Sequence, residues 1–127
     1  MAGYSQRSLE QKLGLKVGYV VFLDQAPDGF TLDAPTTRRL PRRIDMSLTF
    51  HTSEQTLAKR LPELVARTVP AGAVWVCWPK KAAKVPTDLD EAGVRQTGLS
   101  SGLVDVKIAA IDPIWSGLKF VRRLADR

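Results

Sequence analysis

The side chains best placed to do chemistry are few: Asp24, His51, Trp78, Lys80, Lys81 and Lys84. His51 is the sole histidine, and an imidazole exchanges a proton near neutral pH without help from its surroundings. It also borders a helix-capping sequence, Thr52-Ser-Glu-Gln55, where a structural or solvent-exposed role is the commoner use. Lys80, Lys81 and Lys84 follow directly on Pro79. Such lysines grip a phosphate or carboxylate, or they merely keep a loop solvated. Trp78, with Trp75 and Trp115, offers an indole for stacking on a base or ring, although tryptophans in or beside strands more often fill a core. Asp24 stands where a dinucleotide-binding fold carries its glycine turn. Asp24-Gln-Ala-Pro-Asp-Gly29 is not Gly-x-Gly-x-x-Gly, which argues against nucleotide binding through that fingerprint. These residues form no catalytic set, and neither a metal nor a cofactor is expected.

The element that must position them is Gly72-Ala-Val-Trp-Val-Cys-Trp-Pro-Lys-Lys-Ala-Ala-Lys84, an apolar run that breaks at Pro79 into the lysines. An apolar run without alternation is buried on both faces, the habit of a central parallel strand covered by helices. Ahead of it, Ser8 to Leu13 predicts a short helix capped by Ser8 and stopped at Gly14, followed by a strand over 17–23. Residues 30–43, bracketed by Pro35 and Pro41, leave room for at most one short helical segment. Alternation predicts a strand over 44–50, and Thr52 or Ser53 starts a helix to about Arg67 that kinks or breaks at Pro62.

Pro70-Ala-Gly72 is expected to turn the chain into the central strand, 73–78. After the lysines, Thr87 is expected to cap a helix with Asp88, Asp90 and Glu91 in its first turn and Gly98 as its stop. Residues 103–111 and 115–124 alternate across Asp112-Pro113, which implies an antiparallel hairpin. The order of elements predicts one α/β domain over 1–127: a three-layer, Rossmann-like, mostly parallel sheet with a C-terminal antiparallel hairpin. Ligands of such sheets collect beyond the carboxyl ends of the parallel strands. Asp24, His51 and Trp78 to Lys81 are expected to share that edge.

The 127 residues are about one domain's worth, and a single cysteine, Cys77, inside an apolar strand suits a small buried hydrophobe. Without an apolar segment able to span a bilayer, or a hydrophobic run in Met-Ala-Gly-Tyr-Ser-Gln-Arg-Ser, the expectation is a cytoplasmic protein with no membrane partner. The net charge of +6 gathers at Arg38, Arg39, Arg42 and Arg43, at Lys80, Lys81 and Lys84, and at Lys119, Arg122, Arg123 and Arg127. Clusters of that kind attract an anionic ligand, an acidic protein or nucleic acid. An exposed edge at 103–111 or 115–123 also allows a homo-oligomer.

The stretch Ala73 to Arg123 resembles the bacterial proteins grouped as domain of unknown function family 3052. The resemblance rests on Trp75-x-x-Trp78-Pro-Lys-Lys, Thr87-Asp-Leu, Val94-Arg95, Gly102-Leu-Val-Asp-Val-Lys107 and Trp115-Ser-Gly-Leu-Lys-Phe-Val-Arg-Arg123, with a weaker echo in Lys12-Leu-Gly-Leu-Lys-Val-Gly18. It implies a cytoplasmic bacterial protein and carries over no catalytic residue. Three functions compete: a non-catalytic or regulatory module binding an anionic ligand or acidic partner at 78–84, a nucleic-acid binder, and a degenerate methyltransferase-like enzyme. The third follows from the sheet's shape alone.

Overall fold

The computed structural model describes residues 7–127, so most of the opening stretch considered for a secretory signal lies outside the described residues. The first helix, α1 (Leu9–Leu13), has a reciprocal cap: the Ser8 hydroxyl accepts from the Gln11 amide while the Gln11 side chain accepts from the Ser8 amide. Gly14 ends it at φ 87°, a left-handed conformation that glycine adopts without strain. Two strands follow, β1 (Val21–Asp24) and β2 (Ile44–Phe50). The first is shorter than expected, because 17–20 stay outside the ladder and leave Val17 exposed. Residues 25–43 contain no helix and touch the sheet through a parallel bridge between Thr37 and Phe22.

The second helix, α2 (Glu54–Arg67), is capped by Ser53 and runs through Pro62 without a break, so that of the two expected outcomes, kink or break, the break is excluded. The periodic leucines explain its persistence: Leu57, Leu61 and Leu64 are fully buried. Each such burial stabilises by about 1.5–3 kcal/mol, comparable with the proline's cost of about 3 kcal/mol. The central strand, β3 (Thr68–Pro79), begins earlier than expected. Pro70-Ala-Gly72 is therefore a bulge within it, since β2 jumps from pairing Thr68 to pairing Ala73 between Ile44 and Met46.

Helix α3 (Glu91–Ser100) starts at Asp90, not Thr87, and runs past Gly98. Gly98 is an approach point rather than a stop: a Cβ there would lie 2.0 Å from the Phe120 ring. The last two strands, β4 (Leu103–Ala110) and β5 (Trp115–Arg122), form the antiparallel hairpin.

The mixed α/β fold is built on a five-stranded sheet in the order β1-β2-β3-β5-β4. The β1–β2 and β2–β3 pairs are parallel, while β3–β5 and β4–β5 are antiparallel. Parallel pairing thus does not predominate. The hairpin folds back, placing β5 beside β3, so β5 is interior and only β4 offers the edge considered for a second copy. That edge bulges between Asp105 and Lys107, a device that disfavours edge pairing.

One face of the sheet packs Phe22, Val74, Val76, Leu118 and Phe120 under α2 and α3. The other packs Leu23, Met46, Leu48, Trp75 and Cys77 under α1 and the segment around Phe30. The Trp75 indole donates to Leu13 O at 3.1 Å, which ties the short α1 to the sheet.

Candidate functional site

The carboxyl ends of β1, β2 and β3 do meet, but their polar side chains separate into two places. The first is a buried chain of hydrogen bonds. Asp24, 4% exposed, receives Arg60 in a two-pronged grip, Nε to Oδ2 and a terminal guanidinium nitrogen to Oδ1, both at 2.8 Å. The Thr49 hydroxyl donates to the same Oδ2 at 2.7 Å. Its only proton is then spent, so toward His51 Nε2, at 2.6 Å, Thr49 must accept. The imidazole proton therefore sits on Nε2, and Nδ1 faces the Thr56 hydroxyl at 3.0 Å, whose proton is shared between the ring and Ser53 O at 3.0 Å.

His51 is 2% exposed, and burial is the main cause that pushes its pKa down to about 4; the Asp24 carboxylate pulls it up and Arg60 presses it further down. The ring is neutral at physiological pH. With Asp24 held by three donors and His51 by two partners, the chain acts as a clamp. It fixes the first two turns of α2 to the ends of β1 and β2. Of the structural and solvent-exposed roles expected for His51, its burial fits the structural one, and Asp24 beside it is buried as well. Cys77 behaves as a hydrophobe: it is fully buried, and desolvation raises its pKa well above the usual thiol value.

The second place is an open cleft of about 760 Å³ between the end of β3 and the approach to α3. Trp78, Lys80 and Lys81 form one side, Thr87 to Ala92 the other, and Ile108 and Ser116 close it from the hairpin. The lysine segment is pinned by Lys80 N donating to Ile114 O at 2.8 Å, then makes one 3-10 turn over Lys81–Ala83. Lys84 follows in a left-handed conformation, φ 56°, and does not line the cleft.

The opposite wall carries Asp88, Asp90 and Glu91, and each of these acids is engaged. Asp88 accepts from the Glu54 amide at 2.8 Å, Asp90 from the Gly93 amide at 2.8 Å, and Glu91 from Arg95 at 2.7 Å. Both helix N-termini are thus already occupied by carboxylates. At the start of α3 the Gly93 amide is thus already taken. Thr87 itself donates to Thr52 O at 2.6 Å, so the segment after the lysines serves the start of α2. Among the described residues, the Lys80 and Lys81 ammonium groups have no hydrogen-bond or ion-pair partner.

Three members of the buried chain, Thr49, Thr56 and Arg60, were not singled out from the sequence. A signal was present: Thr49 and His51 are two apart in an extended segment, and Thr56 and Arg60 are four apart on a helix, so each pair shares a face. Among the described residues, no group of three or more His, Cys, Asp or Glu is gathered as metal ligands. Likewise, no described helix is long and apolar enough to cross a membrane.

No family model matches the chain, and no curated protein matches it in sequence. Solved structures do match in fold. Magnesium protoporphyrin IX methyltransferase (ChlM) from Synechocystis PCC 6803 with bound SAM superposes with TM-score 0.53 at 11% identity, over 71% of this chain and 46% of that one. Mitomycin 7-O-methyltransferase MmcR gives 0.55 at 12% identity, over 67% and 31%. LepI in complex with SAM gives 0.58 at 8% identity, over 91% and 39%. The chain spans less than half the length of these neighbours. At such identities they establish the Rossmann-like fold and nothing finer.

Proposed function

We propose that this chain is a non-catalytic or regulatory binding module that holds an anionic ligand or an acidic protein partner in the cleft beside Trp78, Lys80 and Lys81. One observation carries the reading: each acid on the opposite wall is held by a helix amide or by Arg95, whereas the two lysines have no partner. The two ammonium groups are therefore the unengaged charged donors of the cleft, facing carboxylates that are held by other groups but keep their charge. The Trp78 side chain, buried in the core but lining the cleft, gives it an apolar floor for a ring or acyl group. The resemblance to domain of unknown function family 3052 belongs to the same reading, because Trp78, Lys80, Lys81 and Thr87 lie in the segments that carry it. So does a cytoplasmic location.

The test is native mass spectrometry of the purified protein, with Lys80→Ala/Lys81→Ala as the comparison. The double variant should keep its stability within about 0.5 kcal/mol, as exposed substitutions do, and lose any co-purifying anion. Loss of stability in the variant would make the lysines structural and end the proposal. A second reading, a degenerate methyltransferase-like enzyme, is favoured by fold neighbours solved with SAM. It requires SAM or its demethylated product to raise the melting temperature, and no shift with either would remove it.

A further inference from the structure

On the sheet face away from α2 and α3, the ladders set Trp75, Lys119 and Lys107 in one row, since Trp75 pairs with Lys119 and Lys119 with Lys107. Like charges directly opposite each other in a sheet repel. Lys107 is compensated, because its ammonium donates to Lys12 O at 2.7 Å near the end of α1. Lys119 is not. Its Nζ lies 6.0 Å from the centroid of the Trp75 ring and 2.9 Å from where a Cβ on Gly14 would sit. Among the described residues no carboxylate or carbonyl bonds to it. Burial first, and then the charges of Lys107 and Lys16, hold its pKa below the usual lysine value.

A pocket of about 270 Å³ opens beside this group, lined by Lys16, Tyr19 and Lys119 together with the starts of β2 and β3. Asp45 is the acid in the lining, and its carboxylate is engaged by the Val20 amide at 2.7 Å. We propose that this pocket is an anion site, separate from the cleft at Trp78, in which Lys119 and Lys16 hold the phosphoryl or carboxylate group of a small molecule. An oxyanion there would convert the repulsion among three lysines into attraction and supply the half-buried ammonium with the acceptor it lacks. Gly14 matters to the geometry, since any larger residue would fill the space the ammonium uses. The left-handed φ at Gly14 makes such a residue doubly unfavourable.

The experiment uses the whole chain with inorganic phosphate, and acetate as the carboxylate arm, each against chloride at matched ionic strength. Phosphate or acetate should raise the melting temperature beyond chloride, and the arm with the larger effect identifies the ligand group. The Lys119 ammonium, followed by NMR, should titrate at higher pH when that anion is present. Lys119→Met should weaken binding by at least about tenfold, and Lys16→Met should weaken it measurably. Lys80→Ala/Lys81→Ala should leave this binding unchanged, which separates the pocket from the cleft. Equal effects of both anions and chloride, or full binding by Lys119→Met, would overturn the proposal. Should Lys119→Met fail to fold, the wild-type titration and Lys16→Met decide it: no change in either overturns the site.

Discussion

Lowering the pH from 7 to 5 should destabilise this protein through one residue. Folded His51 has a pKa near 4 against about 6.5 when unfolded. Between those values the unfolded chain binds a proton that the folded chain refuses, so stability falls as pH falls. The contribution is complete above pH 6.5 and lost on descending toward 4. At about 1.4 kcal/mol for each unit of pKa, the whole shift is worth roughly 3 kcal/mol, and about 2 kcal/mol of it disappears by pH 5. For a domain of this size that is roughly 7 °C in melting temperature.

The cost arises from charging a ring sealed between the sheet and α2 near Arg60, not from lost hydrogen bonds. Once protonated, Nδ1 would donate to Thr56, whose hydroxyl can turn to Ser53 O, an acceptor 3.0 Å away. Urea unfolding at pH 7 and 5 measures the difference, and His51→Gln should flatten it although the variant starts less stable. Because His51 is the only histidine, its ring protons report the folded titration directly by NMR. A midpoint near 6.5 in the folded protein, or a pH slope that survives His51→Gln, would refute the argument.

Ser47→Ala should stabilise by about 1 kcal/mol in urea unfolding, because the Ser47 hydroxyl is the buried side-chain polar atom without a partner among the described residues. It lies between Phe22 and Val74 in the ladders, where a methyl group suits the surroundings better. Gly98→Ala should destabilise by about 1–3 kcal/mol, since the new Cβ would force the fully buried Phe120 ring to move. Trp75→Phe should keep the core filled but release Leu13 O, so amide exchange over 9–14 should accelerate before that of β3 changes.

Alternation made β2 legible to the residue and the hairpin nearly so, because each strand has two faces of different character. The outer part of the first strand misled, for Val17 and Val20 are β-branched yet exposed at 106% and 40%. Their composition fits a strand, but only Val20 reaches β2, its carbonyl accepting from the Asp45 and Met46 amides, and 17–19 lie outside the ladder. The start of α3 was misplaced for a different reason. Thr87 and Asp88 do form capping bonds, but to α2, through Thr52 O and the Glu54 amide. A cap sequence announces that a helix start is nearby without saying which helix, and here two starts lie side by side. The clamp at His51 was half legible: Asp24 and His51 were placed at strand ends by pattern, while Arg60 is 36 residues from the carboxylate it grips.

The net charge was the most misleading signal, and the reason is a division of labour between arginine and lysine. Several arginines that looked like surface charge are spent on backbone carbonyls. Arg38 donates to the carbonyls of Ala26, Pro27 and Phe30, Arg67 to that of Pro41, and Arg122 to those of Val65 and Thr68. Segment 25–43 forms neither helix nor strand, so its carbonyls need side-chain donors, and a planar guanidinium can serve two or three at once. Those three cations are held against carbonyl oxygens. The lysines are compact point charges and satisfy few such acceptors. Among the described residues, partnerless lysines lie on opposite faces of the sheet, Lys80 and Lys81 in the cleft and Lys119 with Lys16 beside α1, while Arg39, Arg42 and Arg43 also keep guanidinium groups without a partner. Two small cationic sites of that kind fit discrete anions better than a continuous polyanion, whose binding needs many phosphates neutralised along one surface.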